Sequence, residues 1–170
     1  SSRRQRQMCI RDRIHPYCVS LRDGRLFRFG VQLCEDMWCQ DYQHNGEVLD
    51  TLKVFKARGA EAIFNLSASP WTWQKNDKRN RVVREILSDS PLPFFYVNQV
   101  GAQNNGKNIL VFDGDSTAYT RRGETTHRIK TWTDGIIYNT DRTCSPQPQS
   151  QTDAIFNGIL TGLRQLDHIR

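Results

Sequence analysis

The order of apolar periodicities along this 170-residue chain predicts an α/β protein in which helices pack on a sheet. Two strand-like runs are each followed by a stretch with helical spacing, a third strand comes next, and hairpin signals follow it. The first run, Leu26 to Leu33, is rich in aromatic and aliphatic residues and ends at Cys34. Gly46 to Arg58 then sets Val48, Leu49, Leu52, Val54 and Phe55 on a helix-like apolar face, with Gly59 as its stop. Ala62 to Leu66 reads as a short buried strand. Asp77 to Leu87 spaces Val82, Val83, Ile86 and Leu87 as a second amphipathic helix, terminated by Ser88-Asp89-Ser90-Pro91. Phe94 to Val100 is the third strand. Asn104-Asn105-Gly106-Lys107 reads as a hairpin turn joining it to a strand over Ile109 to Thr120, and Arg122-Gly123 turns into another near His127 to Lys130.

The two ends read differently from this body. Arg3 to Arg13 can be back-translated into a string that resembles the adaptor of transposase-prepared sequencing libraries, so residues 1–13 read as an assembly scar, with a solvated basic tail as the alternative, and are set aside in arguing the fold. They hold five Arg against one Asp, which is +4 of the formal charge of +6 and leaves +2 for the other 157 residues. The basic balance is therefore no nucleic-acid signal, and the basic stretch Lys75 to Arg84 reads as the solvent face of a helix. Residues 143–152 are polar and proline-bearing, as in a linker. Beyond them Ile155, Ile159, Leu160, Leu163 and Leu166 share one side of a terminal helix.

With Cys9 in the scar, Cys18, Cys34, Cys39 and Cys144 lack the spacing of a disulfide framework or a paired Cys-x-x-Cys site. The histidines His15, His44, His127 and His168 are scattered, so no metal site is expected. No signal peptide or apolar run of membrane-spanning length is legible, which points to a cytoplasmic protein with no membrane partner.

The most informative string is Cys34-Glu35-Asp36-Met37-Trp38, a thiol where a strand breaks into a turn. A cysteine so placed is rigidly held, and the amide N–H groups of a following helical turn favour its thiolate. By itself such a residue is most often an inert small hydrophobe. Three further strings follow in order: Asn65-Leu66-Ser67-Ala68-Ser69-Pro70, Val97-Asn98-Gln99-Val100-Gly101 and Phe112-Asp113-Gly114-Asp115-Ser116. Together the four resemble the nitrilase (carbon–nitrogen hydrolase) superfamily over about residues 28 to 142, and within it the glutaminase domains of glutamine-dependent NAD synthetases.

The resemblance implies the C-terminal part of a nitrilase-type α-β-β-α sandwich over residues 14–142. It also implies that residues 153–170 begin an ATP-dependent synthetase domain, with a closing helix of the first domain as the lesser alternative. Cys34 would attack the side-chain amide carbon of glutamine, with the Glu35 backbone N–H beside the oxyanion. Ser69 and Lys75 would hold the α-amino and α-carboxylate ends, against a plain reading as a turn serine and a solvated lysine. Glu35 and Trp38 are candidates for the pocket wall, and Trp38 reads as well as core packing. Asn65 and Asn98 are expected to tie strand ends, and Gly101 and Gly114 to occupy turns needing positive φ or close approach.

The family also uses a Glu and a Lys upstream of the cysteine, and residues 1–33 contain neither. The sequence thus reads as truncated at both ends, and the isolated chain is expected to lack turnover. ATP and Mg2+ would serve the synthetase domain and not this segment. The implied partners are glutamine, with nicotinic acid adenine dinucleotide and ATP in the parent, which is expected to be a homo-oligomer. A stand-alone amidase or carbamoylase, or a non-enzymatic nitrilase-fold module, are the alternative readings. Asp115, where a small residue is more usual, and the long turn from Gln103 to Lys107 depart from the family pattern.

Overall fold

In the computed structural model, residues 14–39, 49–137 and 150–167 are described. The elements are β1 (Tyr17–Ser20), β2 (Leu26–Leu33), a 3-10 turn (Cys34–Trp38), α1 (Thr51–Ala57), β3 (Ala62–Ser67), α2 (Lys75–Asp89), β4 (Phe94–Asn98), β5 (Val100–Asn104), β6 (Ile109–Asp113), β7 (Thr117–Tyr119), β8 (Thr125–Arg128) and α3 (Gln151–Asp167). Six strands form one sheet in the order β1-β2-β3-β4-β7-β8, with β2, β3 and β4 parallel and the other pairings antiparallel. The adaptor-like residues 1–13, most of the expected linker and the first part of the Gly46 to Arg58 stretch lie outside the described residues.

Side-chain alternation along the parallel strands decides where the helices lie. Ile63 and Phe94 point to the face on which Leu52 and Phe55 of α1 and Val82, Val83, Ile86 and Leu87 of α2 are buried, so both helices cover one side. At Gly30 a Cβ would stand 2.6 Å from Phe55 and 2.7 Å from Ile63, so only glycine lets α1 come this close. The opposite face carries an aromatic row, Tyr17–Phe29–Phe64–Phe95, with centroids 5.7, 5.5 and 4.9 Å apart. Its end row, Leu33, Leu66 and Val97, is exposed.

The expected hairpin forms, but not from two continuous strands. Each expected strand breaks, and β5 and β6 leave the main sheet as a separate two-stranded ribbon in which Gly101 faces Phe112. Gly101 (φ 106°) and Gly114 (φ 70°) both take left-handed conformations at the bends, and a Cβ on Gly114 would lie 3.3 Å from Val100. The chain then returns to pair Tyr119 with Phe94.

Helix limits also differ from the sequence reading. Asp50 caps α1, its carboxylate accepting the Lys53 N–H at 3.0 Å, so the helix starts at Thr51. On α3 the aliphatic residues Ile155, Ile159 and Leu163 are exposed. Its glycines face inward instead: a Cβ on Gly158 would lie 3.4 Å from Trp132 and 3.5 Å from Trp71, and one on Gly162 would lie 3.6 Å from Val111 of β6.

Candidate active site

Each parallel strand ends at the same edge of the sheet, where ligands of α/β proteins bind. A cleft of about 800 Å³ opens there, and Cys34, Glu35, Trp38, Ser69 and Lys75 all line it. The five residues singled out in the sequence are thus brought together from the end of β2, the end of β3 and the start of α2.

Cys34 adopts φ 41°, a left-handed conformation that costs a residue with a Cβ on the order of 1–3 kcal/mol and persists only where its surroundings impose it. Here the Leu33 N–H donates to Asp36 Oδ2 at 2.8 Å, Asn65 Nδ2 donates to the Cys34 carbonyl at 3.4 Å, and Met37 anchors the turn in the core. Burial raises the Asp36 pKa; the Leu33 N–H opposes that shift and the Glu35 charge adds to it. The thiol itself is partly exposed to the cleft.

Ser69 is bracketed by one side chain. Its N–H donates to Asn98 Oδ1 at 2.9 Å, and Asn98 Nδ2 donates back to its carbonyl at 3.4 Å. Lys75 Nζ donates to the Pro70 carbonyl at 2.9 Å. Burial lowers the Lys75 pKa, while the charges of Cys34 and Asp113 pull the other way. The Trp38 ring has Lys78 Nζ 5.3 Å from its centroid, a cation–π contact on the cleft wall.

The structure corrects the reading of Lys75 to Arg84 as a solvent face. Arg79 is 2% exposed and forms an ion pair with Asp115, while Arg128 Nε lies 3.1 Å from the other Asp115 oxygen. Burial disfavours the guanidinium charge, but Tyr119 and Asp115 outweigh it and hold Arg79 above the ordinary arginine range. The signal was present in the spacing, since residue 79 falls in the same helical row as Val82, Val83 and Ile86. Trp73, Gln74, Asp77, Lys78 and Arg81 also line the cleft and were not singled out.

Among the described residues no group of three or more His, Cys, Asp or Glu could hold a metal ion, and no helix is long and apolar enough to cross a membrane.

The fold is similar to that of nitrilase-type proteins. A carbon–nitrogen hydrolase from Helicobacter pylori G27 superposes with a TM-score of 0.54 at 17% identity, over 69% of this chain and 39% of that one. Glutamine-dependent NAD+ synthetase from Acinetobacter baumannii, in complex with ADP, superposes with a TM-score of 0.68 at 22% identity, over 88% of this chain and 27% of that one.

In sequence the chain is similar to glutamine-dependent NAD+ synthetases. It is 28% identical over 112 residues to the one from Acinetobacter baylyi and 33% identical over 104 residues to the one from Synechocystis sp., covering 66% and 57% of this chain. It spans 18% and 17% of those two proteins' lengths. No family model matches the chain.

Proposed function

We propose that this segment carries the thiol of a glutaminase site, which releases ammonia from glutamine for a glutamine-dependent NAD+ synthetase reaction. One observation supports this above the others: Cys34, imposed in a left-handed turn, shares a cleft with Ser69 and Lys75, which suit the two ends of an amino acid. Cys34 attacks the amide carbon, ammonia departs as the thioester forms, and water releases glutamate. Lys75, beside the first turn of α2, suits the α-carboxylate. No Glu or Lys precedes Cys34 in this chain, so the reaction needs a base and an oxyanion cation from elsewhere.

Ammonia would then amidate nicotinic acid adenine dinucleotide in an ATP- and Mg2+-dependent domain that α3 introduces, within a homo-oligomeric cytoplasmic enzyme. The free thiols Cys18 and Cys34 suit that compartment.

The test uses the intact protein carrying this sequence. Cys34→Ala is expected to abolish NAD+ formation from glutamine while preserving formation from added ammonium. Equal loss of both in a folded variant would show the assignment of a separate amide-hydrolysing site to be wrong. Glutamine hydrolysis with no amidation of the dinucleotide in the wild type would favour a stand-alone amidase.

A further inference from the structure

Charge buried in the inner face of α2 calls for an account beyond stability. Filling the space at residue 79 would need only an apolar side chain, and a buried ion pair is a poor source of net stability compared with well-packed apolar groups. Arg79 instead makes four contacts with three residues. It pairs with Asp115, donates through Nη1 to Asn76 Oδ1 at 2.9 Å, reaches the Asp115 carbonyl at 3.4 Å, and lies 4.3 Å from the centroid of the Tyr96 ring.

Two routes run from this cluster to Ser69. Burial raises the Tyr96 pKa, and Arg79, Ser69 and Ser67 act against that rise, which sets both serine side chains beside the phenol. Asp115, held at φ 54° between Arg79 and Arg128, opens the turn in which Ser116 Oγ accepts the Asn98 N–H at 3.0 Å. Asn98 in turn brackets Ser69 through both backbone groups. A third bond ties the same helix to the same turn: Asn76 Nδ2 donates to Asp113 Oδ2 at 2.6 Å. Arg79 itself does not line the cleft.

We propose that Arg79 is a positioning residue for substrate recognition, which with Asp115 as its counter-charge fixes Tyr96 and the Asp115-Ser116 turn and through them Ser69. The inference rests on the glutamine reading of the cleft. Because the cluster acts on Ser69 and not on the Cys34 turn, its loss weakens capture of the amino-acid end and leaves the sulfur's own reactivity unchanged.

The experiment compares wild-type intact protein with Arg79→Lys and with the charge-balanced Arg79→Met/Asp115→Asn, by glutamine kinetics and by two alkylations of Cys34. Iodoacetamide probes the thiol alone, and 6-diazo-5-oxo-L-norleucine probes the thiol through recognition of a glutamine-shaped amino-acid end. Arg79→Lys is expected to raise KM about tenfold with kcat within about twofold, and to slow the glutamine-shaped reagent about tenfold without changing the iodoacetamide rate. If that variant fails to fold, the charge-balanced pair, which leaves no unpaired buried ion at these two positions, is expected to give the same split.

An unchanged KM, or equal slowing of both reagents in folded protein, would overturn the proposal. Failure of the glutamine reading is distinguishable because it appears in the wild type, as no advantage of the glutamine-shaped reagent over iodoacetamide at Cys34. That result would overturn both.

Discussion

The turn that carries Cys34 and the segment that carries Ser69 and Lys75 face one cleft but are held in different ways. The Cys34 turn combines local polar ties with core packing: Cys34 at φ 41° and the Asp36 carboxylate on the Leu33 N–H lie within four residues, a longer bond comes from Asn65, and Met37 is buried in the core. The recognition segment is held at Ser69 by groups distant in sequence, with Asn98 29 residues away and Tyr96 supported by Arg79. On the proposed reading of the cleft, the difference teaches that the hydrogen bonds at the thiol are mainly local while those at the amino-acid end come from distant residues. Remote substitutions should therefore damage glutamine capture before they damage the thiol.

The largest expected effect tests the local half. Cys34→Ser preserves the size and left-handed turn of the residue, so melting temperature should stay near wild type while glutamine turnover falls by several powers of ten. A comparable loss of thermal stability would mean that the sulfur supports the turn itself.

The next contrast sets the two asparagines against each other. Asn98→Ala removes both bonds to the Ser69 backbone and should cost about 1–3 kcal/mol of stability and raise glutamine KM several-fold, as chemical denaturation and kinetics would show. Asn65→Ala loses a 3.4 Å bond to Cys34 and a 2.7 Å bond from Ser67, and should lower kcat more than it raises KM. A reversed pattern would break the division between the two segments.

A third, smaller effect depends on pH. Burial draws the Lys75 pKa below its ordinary value, so the ammonium that would hold the α-carboxylate is present at low pH and lost as pH rises through that lowered value. KM for glutamine should climb on the alkaline side before an ordinary lysine would titrate. Lys75→Arg should flatten that limb, and an unchanged limb would assign it to the substrate's own amino group.

The smallest effect concerns Asp36, whose pKa burial raises. A carboxyl with a raised folded pKa binds more protons folded than unfolded, so wild-type stability should fall as pH increases from about 3.8 through the folded value. Asp36→Asn keeps an oxygen for the Leu33 N–H without the charge, so thermal melts across acidic pH should show a flatter curve for it than for wild type.

The sequence by itself determined the alternation of strands and helices from β2 to β4, the hairpin turn, and the candidates Cys34, Ser69 and Lys75. These are short-range patterns: an apolar run broken by a turn, a helical stripe between capping residues and four ordered motifs. Only the tertiary structure decided that the hairpin splits at Gly101 and Gly114 into a separate ribbon, that Arg79 is buried against Asp115, and that α3 turns its glycines inward. The last two of those outcomes depend on groups more than thirty residues apart meeting out of water. Local spacing could place Arg79 on the buried row of α2, but only the arrival of Asp115 from the β6–β7 turn makes a charge there tolerable.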